Sequence, residues 1–324
     1  MRNFIEAFPL HIVEAIDIAK NIKLEYQKIN NIVISGQGGS AIGGIISKNI
    51  SQHYSNVPII INQDYKTPHF INKNTLFISS SYSGNTEETI TALEDAGKKD
   101  CQIFCICSDG EILNIAKRKE YNYITIPKGG APRAMLCFSV IQLLYIIHII
   151  NKLSLNELEI KLLNVKHDLV NKKQEIIKIA TQSANAINNM MPFIYTFPEF
   201  EGVALRFKQQ LNENSKQHAC FNIIPEMNHN EIVPWNRPNA CVVPVFLKGD
   251  SYPRNIDRMT INTNQIKQNV ANIIEIEASG EYLNQYFYLL HLVDWISLIM
   301  AENNNIDPNE IEAIESLKIQ LKNI

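Results

Sequence analysis

Apolar and polar residues follow two rhythms along the chain. Short apolar, β-branched runs alternate with longer stretches whose apolar residues recur at helical spacing. In the first half the short runs lie at 31–36, 57–63, 75–81, 102–108 and 123–127. Helical patterns fill 41–50, 86–98 and 111–119 between them, with Gly97 near the end of the second. Strands this apolar, separated by helices, predict a parallel sheet covered on both faces. Pro132 opens a long apolar helix reaching to about Leu153, and 155–190 reads as linking helices. The pattern then restarts. Strands are predicted at 192–197, 218–224, 241–247 and 272–277, and helices at 200–210, 282–304 and 309–322. The expectation is therefore an α/β chain of two units, 1–153 and 154–324, with no short-period repeat.

Composition narrows the class. Of 324 residues, 45% are hydrophobic, and Gly and Pro number 13 each, so collagen-like, low-complexity and disordered chains are excluded. A net charge of -3 without a basic block gives no nucleic-acid footprint. Any phosphorylated ligand must be held by local groups. The six cysteines lie almost all within apolar runs and read as small buried hydrophobes of a reducing compartment. Cys105 and Cys107 share one face of a strand and lack a second pair at zinc spacing, so no metal is expected. Acidic residues at 6, 14 and 17 argue against a signal peptide, and the 135–150 apolar run is short of a bilayer span. A cytoplasmic protein without a membrane segment is expected.

Two loops carry the chemistry. The first, Gly36-Gln37-Gly38-Gly39-Ser40-Ala41, follows a strand and opens a helix, where exposed N–H groups and the helix dipole suit a phosphate. It also fits the dinucleotide fingerprint in its Ala form, but the nearest acid, Asp64, stands 28 residues beyond Gly36 where about 20 is usual. The second, Ser79-Ser80-Ser81-Tyr82-Ser83-Gly84-Asn85-Thr86-Glu87-Glu88, also lies between a strand and a helix. Its cluster of hydroxyls suits the several acceptor oxygens of a phosphate monoester, and a dinucleotide fold has no need of it.

The segment Ser81-Tyr82-Ser83-Gly84-Asn85-Thr86-Glu87-Glu88-Thr89 resembles the signature of sugar isomerase (SIS) domains. With Gly38-Gly39-Ser40-Ala41-Ile42-Gly43-Gly44 it is similar to the bifunctional phosphoglucose/phosphomannose isomerase family. Gly130-Ala131-Pro132-Arg133-Ala134, the segment from Leu211 to Lys216, and Met227-Asn228-His229-Asn230-Glu231-Ile232-Val233 extend the resemblance over about residues 30 to 320. It implies two SIS domains, each a flavodoxin-like parallel sheet flanked by helices. It also implies a homodimer and a cofactor-free, metal-free aldose–ketose isomerase acting on sugar 6-phosphates.

Such a reaction opens the sugar ring, moves a proton between C1 and C2, and stabilises an enediolate. The resemblance makes Glu213 the base and His229 the ring-opening acid/base, with His229 reaching the neighbouring subunit's site. Asn228, Asn230 and Glu231 are expected to orient the His229 ring. Arg133, a cation at a helix start where the dipole opposes it, suits the enediolate. Lys318, with Lys322 four residues on, resembles the lysine that assists ring opening. Gly38, Gly39, Ser40, Ser81, Ser83 and Thr86 are expected to hold the phosphate. His291 and Asp294, three apart on an apolar helix, are read as a paired core contact. One departure stands out. Family members often carry Asp-Pro-Thr-Pro before the closing helix, where this chain has Asp307-Pro308-Asn309-Glu310. Loss of that small hydroxyl bears on the balance between glucose and mannose epimers. Two other readings are a SIS regulator that binds a sugar phosphate without turnover and an NAD(P)-binding oxidoreductase.

Overall fold

The computed structural model describes residues 1–321. The chain begins with two helices, α1 (Arg2–Glu6) and α2 (Phe8–Ala19), which the strand–helix alternation does not signal. The first sheet then forms with its helices: β1 (Asn31–Ser35), α3 (Gly38–Ser51), β2 (Ile59–Asn62), β3 (Thr75–Ser81), α4 (Glu87–Ala96), β4 (Gln102–Cys107), α5 (Glu111–Arg118) and β5 (Asn122–Thr125). A short 3-10 turn, Pro132–Met135, leads into α6 (Leu136–Ile150), and α7 (Leu155–Asn171) and α8 (Lys173–Ile187) follow. The second sheet comprises β6 (Met191–Thr196), α9 (Glu201–Asn214), β7 (Cys220–Ile223), β8 (Val242–Lys248), α10 (Pro253–Ile266) and β9 (Ile274–Glu277). The helices α11 (Tyr282–Asn303) and α12 (Glu312–Leu321) complete the described chain.

Both sheets are parallel, and their orders are β2-β1-β3-β4-β5 and β7-β6-β8-β9. In the first, β3 lies beside β1 and not beyond β2, which is flavodoxin-like winding and not the order of dinucleotide-binding folds. Period-two alternation sorts each strand between two cores. Ile32, Ile34, Leu76, Ile78, Phe104 and Ile106 face the main core, while Val33, Phe77, Cys105 and Cys107 pack against α4 and α5. The main core runs on through α2, α3, α6, α9 and α11 into the second sheet at Ile194 and Val245. Apolar residues on every side of α6 and α11 reflect this central position.

Among the described residues one stretch, Pro132–Ile150, is long and apolar enough by composition to cross a membrane, and it is 94% buried inside the molecule. The cysteines divide. Cys105, Cys107 and Cys137 are buried as expected, Cys101 and Cys220 are half-buried, and Cys241 is exposed because β8 begins one residue after it.

The expected His291–Asp294 pairing does not form. His291 Nε2 accepts from Trp295 Nε1 at 3.1 Å and its ring stacks on Phe8, while Asp294 pairs with Arg206. Burial lowers the His291 imidazole to about 3, and Lys173 and Arg206 push the same way. The unfolded chain binds a proton near pH 6.5 that the folded chain refuses until about pH 3. This residue therefore leaves stability unchanged above pH 6.5. It lowers stability by up to about 1.4 kcal/mol per pH unit as pH falls from there. We expect a lower urea midpoint at pH 5 than at pH 7, and a smaller drop in His291→Gln; equal drops would refute the assignment.

Candidate active site

The strand order of the first sheet reverses at β1 and β3, and such a switch point opens a crevice at the strand C-termini. Both glycine- and serine-rich loops end there. The first loop enters its helix earlier than expected, since α3 already begins at Gly38. The loops are tied together, because the Tyr82 N–H donates to Ser40 Oγ at 3.1 Å. Ser81 Oγ and Thr86 Oγ1 lie 2.9 Å apart, and the Asn85 N–H donates to Ser83 Oγ at 3.2 Å. Ser40 and Ser81 are buried, Thr86 is half-buried and Ser83 is exposed. Gly84 is at φ +68°, and a Cβ there would run into the Asp109 carbonyl, so the sharp turn requires glycine.

A third segment joins them. The Gly130 N–H donates to Tyr82 Oη at 3.2 Å. A Cβ on Gly39 would stand 3.4 Å from the Arg133 backbone nitrogen, so the first loop lies directly against the 132–133 turn. This sets Arg133 next to the phosphate-type loops. Its side chain is 4% exposed, and burial pulls the guanidinium below its ordinary value, with Glu213 acting the other way.

Arg133 Nη1 donates to Glu213 Oε2 at 3.0 Å, Nε donates to Asn214 Oδ1 at 2.8 Å, and Nη2 donates to the Pro308 carbonyl. Glu213 does not follow its helix, as the sequence suggested; it sits in the last turn of α9. Helical spacing of Arg206, Gln210 and Asn214 turns one face of α9 to α11. Asp294 accepts from Arg206 at 2.6 and 2.9 Å and from Gln210 at 2.9 Å, and Arg206 also donates to the Arg133 carbonyl at 3.0 Å. Asn214 donates to Ser297 Oγ at 3.0 Å. These partners hold Arg133 and the end of α9 in place. Glu213 Oε1 has no protein partner among the described residues, and the side chain is 30% exposed. The pair thus offers a fixed guanidinium and a carboxylate with one free oxygen.

Sequence reading missed Lys216. Its ammonium donates to the carbonyls of Glu213, Asp307 and Glu310 at 2.8, 3.0 and 2.7 Å, clamping 307–310 beside the pair. The only signal was its place in the Leu211–Lys216 motif. Asn309 thereby stands next to the carbonyl that Arg133 grips.

The structure brings Arg133 and Glu213 together but joins neither His229 nor Lys318 to them by a hydrogen bond or ion pair among the described residues. His229 ends a 3-10 turn, Glu226–His229, and is exposed. Its supposed orienting neighbours are engaged elsewhere. Glu231 accepts from Tyr195 at 2.6 Å and Asn222 at 2.8 Å, Asn228 donates to Asn262, and Asn230 donates to Glu226. Lys318 lies on α12, which buries no residue. Lys322 lies outside the described residues. No group of three or more His, Cys, Asp or Glu with metal-binding geometry occurs among the described residues.

Residues 177–321 match the family profile described as "Bacterial phospho-glucose isomerase C-terminal SIS domain", so the second half of the chain is similar to a SIS domain. The fold agrees. The C-terminal domain of glucosamine-fructose-6-phosphate aminotransferase from Francisella tularensis superposes with a TM-score of 0.76 at 15% identity, covering 95% of this chain and 97% of that one. A bifunctional phosphoglucose/phosphomannose isomerase from Caldicellulosiruptor bescii is 35% identical, over 98% of this chain and 97% of its own. With such a relative along nearly its whole length, the chain belongs to the bifunctional phosphoglucose/phosphomannose isomerase family. A D-glucosamine-6-phosphate 4-epimerase from Sulfolobus acidocaldarius is also similar, at 27% identity over 90% of both chains.

Proposed function

We propose that this protein interconverts glucose 6-phosphate and mannose 6-phosphate with fructose 6-phosphate through a cis-enediolate. The observation that carries the reading is the Arg133–Glu213 pair set against the hydroxyl-lined loops. A base with one free oxygen stands beside a cation, and a phosphate cradle lies within the same crevice. In this mechanism Glu213 moves the proton between C1 and C2, and Arg133 offsets the charge on the enediolate oxygens. Gly38, Gly39, Ser40, Ser81, Ser83 and Thr86 bind the phosphate through hydroxyls and N–H groups. His229 and Lys318 open the ring.

Neither side chain is bonded to the pair among the described residues, which fits a homodimer in which they serve a site shared with a second copy. The apolar residues of α12 support this, since Ile314, Leu317, Ile319 and Leu321 are 40–62% exposed among the described residues. We divide the chain at 153/154, where α6 gives way to α7, into two SIS domains of a cytoplasmic enzyme.

The test is an assay of the purified protein on fructose 6-phosphate with EDTA present, with sedimentation velocity on the same sample. Glucose and mannose 6-phosphates and C4 epimers are scored separately. Glucose and mannose 6-phosphates are expected, from a dimer. A C4 epimer alone would move the reading to the epimerase. Binding without turnover would move it to a regulator. Sedimentation as a monomer would refute the shared site.

Ser81→Ala removes one hydroxyl from the cradle while leaving the pair untouched. The expected result is a rise of about 10-fold or more in KM for fructose 6-phosphate, as for a lost hydrogen bond to a charged group, with a smaller change in kcat. An unchanged KM would take Ser81 out of the phosphate site.

A further inference from the structure

The second sheet has its own switch point, between β6 and β8, and a cavity of about 680 Å³ opens there. That volume is in the range of small-molecule sites. It is built from the loops after β6 and β8, the starts of α7 and α11, and the far ends of α3 and α6. No residue assigned to the isomerase reaction lines it.

Its lining is acidic on balance. Four carboxylates line it, from Glu157, Glu199, Asp250 and Glu281, against one cation, Lys161. Glu199 accepts from Ser251 and Asp250 from Gln285, whereas the Glu157 and Glu281 carboxylates have no side-chain partner among the described residues.

His148 supplies an independent sign of a ligand. It is 8% exposed, and its Nδ1–H donates to the Leu144 carbonyl at 2.9 Å. Burial lowers its pKa, so the ring is neutral near pH 7 and Nε2 is an acceptor. Nε2 has no hydrogen-bond partner among the described residues, and His148 is one of the residues lining the cavity. Tyr54, Tyr252 and Tyr282 add aromatic surface. Four carboxylates face one ammonium in this lining, and the aromatic surface favours a cation.

We propose that this cavity is a second ligand site, and that it takes a protonated organic amine. Phosphate esters are repelled by the same carboxylates. The ammonium is held by Glu157, Glu281 and His148 Nε2, and the body of the molecule lies on the tyrosines. The site is remote from the isomerase crevice, because α3 carries Gly38 and Gly39 at its start and reaches the cavity with Ile50. Its 14 residues span about 21 Å at 1.5 Å each.

Isothermal titration calorimetry of the full chain tests this, with spermidine and D-glucosamine as probes and 1,6-hexanediol as the neutral control. One of the amines is expected to bind at a single site with a Kd below about 1 mM, and the diol is not. Which amine binds tells an aliphatic polyamine site from an amino-sugar site. Glu157 and Glu281 are exposed, so the double variant Glu157→Gln/Glu281→Gln should fold. It is expected to weaken binding about tenfold or more, with isomerase turnover unchanged. Saturating fructose 6-phosphate is expected not to displace the amine. Absence of binding by both amines, equal affinity in the double variant, or displacement by fructose 6-phosphate would each overturn the proposal.

Discussion

Glu213→Gln is expected to lower kcat for fructose 6-phosphate about 10³-fold, the scale of a lost general base, with KM within a few-fold of the parent. The substitution is close to isosteric. A glutamine carbonyl still accepts from Arg133 Nη1, and Arg133 keeps its bonds to Asn214 and the Pro308 carbonyl. The buried guanidinium is therefore not orphaned, and a fall in activity reports the proton shuttle and not unfolding. Proton NMR in D2O separates the steps. The variant should bind fructose 6-phosphate yet fail to exchange the transferred hydrogen with solvent. Turnover within tenfold of the parent would place the base on another residue.

Asp294→Ala is expected to cost about 3–5 kcal/mol of stability, because it leaves a buried arginine without its counter-charge. Arg206 is 2% exposed and Asp294 3%, and three hydrogen bonds from α9 converge on that carboxylate. The urea midpoint measures the loss. Should the single variant fail to accumulate, Arg206→Met/Asp294→Leu removes both charges together, and its midpoint should lie far closer to the parent's. A single variant as stable as the parent would show that the pair carries no such burden.

The sheets were legible because parallel strands buried on both faces advertise themselves as short apolar runs. The 75–81 run and the observed β3 share their bounds. The two glycine- and serine-rich loops were placed between strand and helix for a related reason, since such residues break both periodicities. Helix α10 was not read, although Pro253 opens it, because its Asn, Thr and Arg residues leave only a thin apolar stripe. Glu213 was placed beyond α9 because Asn212 and Asn214 are poor helix formers, and the Asn214 contacts to Arg133 and Ser297 override that preference. The partners of the buried arginines, Arg133 and Arg206, could not be read at all. Asp294 lies 88 residues from Arg206, and spacing along one helix suggested His291 instead. Pairings of that range are set by how α9 and α11 pack, which no local pattern records. The same holds for His229, whose neighbours in sequence turn to other partners in space.

The segment 307–310 is gripped by its main chain. Arg133 and Lys216 donate to the carbonyls of Asp307, Pro308 and Glu310, and neither donates to a side-chain amide or hydroxyl there. Carbonyls are common to all residue types, so these grips do not depend on the side chain at 309; the strap's side chains add the Asp307 carboxylate accepting from Asn309 and the Lys216–Glu310 ion pair at 3.7 Å. The residue at 309 can therefore be exchanged without moving Arg133 or Glu213. The departure from Asp-Pro-Thr-Pro to Asp307-Pro308-Asn309-Glu310 is the kind of drift such an arrangement tolerates. The side chain at 309 is thus free to vary over a backbone that stays where it is.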